Sequence, residues 1–178
     1  MNIQPIQASF ACEISGIDLS RPLADAEVRE IDDAINAWSV VVFRDQHLDD
    51  ATQVAFAQRF GEIVLPRYSR DAKRRVDARL ADISNLDAEH RVRDKNDHWR
   101  MDGFANQLWH TDASFRKVPA ALSMLFAHKV PGEGGDTEFA DLRAAWDKLP
   151  ADMKATAEPL VAEHSIWHSR AQIGFVDF

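Results

Sequence analysis

The stretch "NQLWHTDASF", Asn106 to Phe115, sets His110 and Asp112 two residues apart between large aromatic side chains. In a strand, residues i and i+2 project to one face, so this imidazole and this carboxylate can aim at one point. With a second histidine, such a pair forms the facial ligand set of non-haem Fe(II) centres, which leaves coordination positions open. A bare His-x-Asp pair also arises by chance, and a surface strand with outward polar residues would read the same way. Trp109 and Phe115 add apolar surface that would keep the site dry. Downstream, "PGEGGDTEFADLRAAWDKLP" puts a glycine turn ahead of Asp136, Thr137 and Glu138. That turn can present the Thr137 hydroxyl toward the same cavity, unless Thr137 is only a β-branched residue chosen for packing.

These residues need elements to position them. Ile3 to Gln7 and Phe10 to Asp18 read as short strands, the second ending near Gly16. Leu23 to Ser39 reads as an amphipathic helix, because Val28, Ile31, Ile35 and Trp38 recur at helical spacing with Asp25 as its N-cap. Val40 to Asp45, β-branched and aromatic, reads as a buried strand. Asp49 to Gly61 reads as a second helix stopped by its glycine. Residues 66 to 79 are polar and aperiodic, Leu80 to Asn85 is a strand candidate, and the charged run from Leu86 to Asn106 is a long loop. Beyond it, Leu108 to Asp112, Ala120 to Val130 and Asp136 to Asp141 read as strands. Leu142 to Ala157 reads as a helix broken at Pro150, and Glu158 to Ser169 returns to strand. The pattern predicts a mainly β, sandwich-like architecture with flanking helices, built as a single domain over residues 1–178.

The totals narrow the partners. Apolar residues make up 46% of the 178, enough for a core. A net charge of −8 argues against nucleic acid, which needs a concentrated basic surface. The basic run Arg70 to Arg75 reads as a solvated face, with gathering of an anionic small molecule as a lesser role. Cys12 is the only cysteine, so no intrachain disulfide forms and a reducing cytoplasm fits. No secretory signal pattern opens the chain, and no apolar run reaches the ~20 residues that span a bilayer. Self-association is left open.

"WHTD" followed by "GGDTEFADLRAAWDKLP" resembles the Fe(II)- and 2-oxoglutarate-dependent dioxygenases of the taurine dioxygenase and 2,4-dichlorophenoxyacetate dioxygenase group. The resemblance continues through "ISGIDLSRPL", "VVVFRDQHL", "FAQRFGEI" and "AEHSIWHSR", so it covers essentially the whole chain. The "GGDTEFADLRAAWD" block is more similar to the aryloxyalkanoate branch than to the taurine branch. The resemblance implies a double-stranded β-helix, or jelly roll, using Fe(II), 2-oxoglutarate and O2. It implies that His110 and Asp112 are two of three iron ligands and that Thr137 bonds a carboxylate of 2-oxoglutarate. Asn106, Trp109 and Phe115 would line or support the substrate pocket. The substrate would be an aryloxyalkanoate such as 2,4-dichlorophenoxyacetate, hydroxylated beside its ether oxygen and split into a phenol and an oxo-acid, with succinate and carbon dioxide released.

The family's third ligand, a histidine, and the arginine that clamps 2-oxoglutarate lie further along than Phe178. The expectation is therefore an N-terminal piece of a longer enzyme, inactive alone and weak in retaining metal. His164 and His168, four apart, are the candidates for a substitute ligand, and the family match places them instead in a structural segment; Arg170 reads as a surface or salt-bridging residue. His47, His90, His98 and His128 read as surface or packing residues. The rivals are a taurine or sulfonate dioxygenase of the same family, a non-catalytic β-sandwich binding module, and a zinc hydrolase with the same ligand types.

Overall fold

A computed structural model describes residues 1–66, 74–97, 100, 103–172 and 174. Arg70 to Lys73 of the basic run, His98, the side chain of Arg170 and the apolar ending after Gly174 lie outside the described residues. The chain divides into two compact units, residues 1–63 with 125–160 and residues 64–124 with 161–178.

The first unit contains a three-stranded sheet. Strand β1 (Asn2–Pro5) pairs antiparallel with β2 (Cys12–Ser15), placing Ile3 opposite Ile14. Strand β2 pairs in parallel with β3 (Val41–Val42), Cys12 opposite Val41. A parallel neighbour requires a crossover, and helix α1 (Asp25–Trp38) provides it. Its apolar stripe buries Val28, Ile31 and Ala34, while Ile35 and Trp38 are half-buried. Ala24, not Asp25, is the N-cap residue: the Glu27 carboxylate accepts from the Ala24 backbone N–H at 2.8 Å, and Asp25 stands one place inside the helix, paired with Arg59 at 2.5 Å. Helix α2 (Asp50–Ala57) starts where the Asp49 carboxylate accepts from the Thr52 N–H at 2.8 Å, and it buries Val54 and Phe56. The edge-on rings of Phe43, Phe56 and Phe60 extend this core.

Two further helices of this unit, α3 (Leu142–Lys148) and α4 (Ala151–Ala157), flank Pro150, whose ring is tolerated before the first turn of a helix and not inside one. The Arg143 guanidinium donates to the Asn36 carbonyl at 2.8 Å, to the Ala37 carbonyl and to the Ser39 hydroxyl, fastening α3 to the end of α1. Gly134 and Gly135 both hold positive φ, 69° and 75°, so the expected glycine turn is present. A Cβ at Gly135 would stand 3.0 Å from Cγ of Pro131.

The strands expected at Leu80–Asn85, Leu108–Asp112, Ala120–Val130, Asp136–Asp141 and Glu158–Ser169 are not strands among the described residues. A strand needs a ladder partner for its backbone, and these segments have none there. The pleat-like alternation survives in Ala121 to Ala127, where half-buried Leu122, Met124 and Phe126 alternate with exposed residues. The last segment instead starts helix α5 (Ile166–Gln172), with the Ser165 hydroxyl accepting from the His168 N–H. The residue types of this segment suit a strand equally well, and the cap decides for the helix. Between Leu86 and Val92 the expected loop closes with an isolated antiparallel bridge. Among the described residues no helix is long and apolar enough to cross a membrane.

Candidate metal centre

All the components of this centre described here belong to the second unit. Asn106 lies in a 3-10 turn, Phe104–Gln107, and is exposed. The chain then runs without regular structure through Trp109 and His110 and enters a turn at Asp112. Ala113 takes φ 55°, a left-handed conformation that disfavours a residue with a Cβ. The turn is closed by the Arg116 N–H donating to the Ala113 carbonyl at 2.9 Å.

The pair converges, although through a loop and not through the pleat of a strand. Nε2 of His110 lies 3.3 Å from Oδ1 of Asp112. The far side of each group is tied down. Nδ1 of His110 is 2.7 Å from the Leu108 carbonyl, an acceptor only, so Nδ1 carries the proton and donates. Oδ2 of Asp112 accepts from the Ser123 hydroxyl at 2.7 Å. In the neutral imidazole this leaves the Nε2 lone pair facing a carboxylate oxygen. Two acceptors at that separation repel unless a proton or a cation lies between them.

The donor set fits a divalent metal. Nitrogen and oxygen ligands at about 2.1 Å in adjacent positions stand about 3 Å apart. A ligating histidine characteristically donates its other ring N–H to a carbonyl, as His110 does. Among the described residues no group of three or more histidine, cysteine, aspartate or glutamate side chains could hold an ion, so no third such side chain joins His110 and Asp112 there.

His164 is not a third ligand in this arrangement. Its Nδ1 lies 2.6 Å from the Ser114 hydroxyl, whose own proton is directed to the Thr111 carbonyl at 3.1 Å. His164 therefore donates to Ser114 and braces the turn that carries Asp112. His168 contacts the Gln172 amide at 3.0 Å within α5. His47, His90 and His128 are exposed, His128 with its ring edge-on to Phe126. Arg75 is held by both oxygens of Asp82, which commits the described end of the basic run to a local ion pair.

The expected dry enclosure is not formed by the described residues. Trp109 is 69% and Phe115 40% exposed, and the His110 and Asp112 side chains are 47% and 61% exposed. Every buried apolar side chain among the described residues lies between Ala11 and Phe56, so the described residues of this region do not enclose the two aromatics in a buried core. Thr137 is exposed and belongs to the first unit. Sequence reasoning missed Ser123 and the Ser114–His164 bond. Their partners are 11 and 50 residues away, and no local pattern marks such bonds.

The model of the family described as taurine catabolism dioxygenase TauD, TfdA matches residues 2–175. The chain is 42% identical over 98% of its length to an alpha-ketoglutarate-dependent 2,4-dichlorophenoxyacetate dioxygenase of Cupriavidus pinatubonensis, covering 61% of that relative. It is 35% identical, over 97% of its length and 56% of the relative's, to an (S)-phenoxypropionate/alpha-ketoglutarate-dioxygenase of Sphingobium herbicidovorans. The solved structure of AAD-2 in complex with Mn(II) and N-oxalylglycine superposes with a TM-score of 0.90 at 40% identity, over all of this chain and 61% of that one. The chain thus spans about three fifths of the length of these relatives.

Proposed function

Since the chain belongs to the TauD/TfdA family, we propose that it supplies the first two ligands of an Fe(II)- and 2-oxoglutarate-dependent dioxygenase that hydroxylates an aryloxyalkanoate such as 2,4-dichlorophenoxyacetate. The observation that carries this reading is the facing of His110 Nε2 and Asp112 Oδ1 at 3.3 Å with both groups anchored from behind. We take the two units as parts of one jelly-roll domain, a reading supported by a family match that runs through both. A cytoplasmic location is part of the proposal, in keeping with a lone buried thiol.

His110 and Asp112 would hold the iron, and the Leu108 carbonyl and Ser123 would fix their orientation. Trp109 and Phe115 would offer apolar surface to an aryl ring, with Asn106 as a polar neighbour. Thr137 would donate its hydroxyl to a carboxylate of 2-oxoglutarate. When bound, Fe(II) with 2-oxoglutarate and O2 would supply the oxidation, while the chain's own residues would bind and orient. The partner is a small anionic molecule, and the proposal includes no nucleic acid and no membrane.

A sulfonate or sulfate-ester substrate is the second reading, favoured by the 34% identity to an alkylsulfatase of Acinetobacter baylyi. Incubation with Fe(II), ascorbate, 2-oxoglutarate and O2, scored for phenol against sulfite or sulfate, separates the two. In the full-length protein, succinate release that depends on an aryloxyalkanoate and disappears in His110→Ala is the expected result. Unchanged turnover in that variant removes the iron assignment.

A further inference from the structure

Asp112 has two oxygens and the structure gives them different surroundings. Oδ1 faces His110, and Oδ2 accepts from Ser123 at 2.7 Å. An ionised carboxylate only accepts, so the single hydroxyl proton of Ser123 is committed to Oδ2. Such charge-assisted O–H···O⁻ bonds are short and about twice as strong as neutral ones. Ser123 is exposed, so water is available as a competing partner. Its placement follows from the alternation of this segment: Leu122 and Met124 are half-buried, which turns Ser123 to the opposite side, where Asp112 lies.

We infer that Ser123 is a positioning residue that holds Asp112 to a one-oxygen grip on the divalent cation through Oδ1. This rests on the reading of His110 and Asp112 as metal ligands. With Oδ2 occupied, the carboxylate takes up one coordination position and leaves the adjacent one to a chelating co-ligand. Without the hydroxyl, the carboxylate is free to rotate away or to turn both oxygens on the ion.

The test is Mn(II) binding by the purified chain, read as loss of the free-ion electron paramagnetic resonance signal. The variants are Ser123→Ala, the near-isosteric pair Ser123→Thr and Ser123→Val, and Asp112→Ala. Ser123→Thr is expected to bind like the parent, and Ser123→Ala and Ser123→Val about 10-fold more weakly, at the lower end of what loss of an outer partner does. The metal-free melting temperatures should stay unchanged, which a merely structural role would not give. Equal binding by Ser123→Thr and Ser123→Val, with binding lost in Asp112→Ala, overturns the role of Ser123 and leaves the metal pair standing. Binding that survives Asp112→Ala, or that the parent lacks, overturns the metal reading and this inference with it. The Thr and Val pair decides the matter even if Ser123→Ala fails to fold.

Discussion

Residues 11 to 56 and residues 108 to 167 solve different problems. The first stretch contains every buried apolar side chain among the described residues, with Ile14, Ile31, Val54 and Cys12 essentially inaccessible. The second contains His110 and Asp112, and there Trp109, Val118, Leu125, Phe139 and Val161 stand exposed. In the first, position is set by packing and sheet register. In the second, it is set by individual hydrogen bonds: His110 to the Leu108 carbonyl, Ser123 to Asp112, His164 to Ser114. Packing spreads its stabilisation over many contacts, whereas a bond of this kind stands or falls with one atom pair.

Truncating the packed region should have the largest effect. Ile31→Ala removes a fully buried side chain from α1 and is expected to destabilise the protein by about 3 kcal/mol, lowering the melting temperature by roughly 10 °C. Arg143→Ala, which unfastens α3 from the end of α1, should lower stability by about 1 kcal/mol after allowance for exposure. Arg143→Lys should recover little of it, because an ammonium cannot span those acceptors as the guanidinium fork does. Both are read by chemical denaturation.

Acid should separate the capped helix from the rest. Hydrogen bonds from the Thr52 backbone and hydroxyl hold the Asp49 carboxyl below its ordinary range. A depressed folded value means that the cap stabilises above the unfolded value of about 4, and that this contribution is lost as pH falls through the folded value. The melting-temperature gap between the parent and Asp49→Ala should be level above about pH 5 and close below about pH 4. The smallest effect is expected from Leu125→Ala, within about 0.5 kcal/mol of the parent, since Leu125 is 70% exposed. A loss there as large as that of Ile31→Ala would break the contrast between the regions and show that this face is covered in solution.

The same contrast explains what could be read from the sequence. Helices α1 and α2 were legible because burial imposes a period of 3.6, which Val28 and Ile31 show in the first and Val54 in the second, while the Asp49–Thr52 cap and the end of α2 at Ala57 were not read. The β1–β2–β3 segments were legible as short apolar runs, though longer in expectation than in fact. Beyond Leu108 the residue types announced strands, but a strand also needs a neighbour, and the described residues supply none there. His110 and Asp112 were singled out by side-chain chemistry, spacing and the family resemblance, and their side chains do approach to 3.3 Å; the route, through a turn with Ala113 in a left-handed conformation, was not legible. Ser123 and His164 were opaque as supports because a single hydrogen bond between distant residues leaves no periodicity behind.

The central claim is that the imidazole of His110 and the carboxylate of Asp112 share one ferrous ion together with 2-oxoglutarate. Anaerobic addition of Fe(II) and 2-oxoglutarate, followed by visible absorption, tests it most directly. The parent should develop a weak, broad charge-transfer band that needs both additions and is missing from His110→Ala and Asp112→Ala. A band of equal strength in either variant, or none in the parent at saturating iron, would contradict the account.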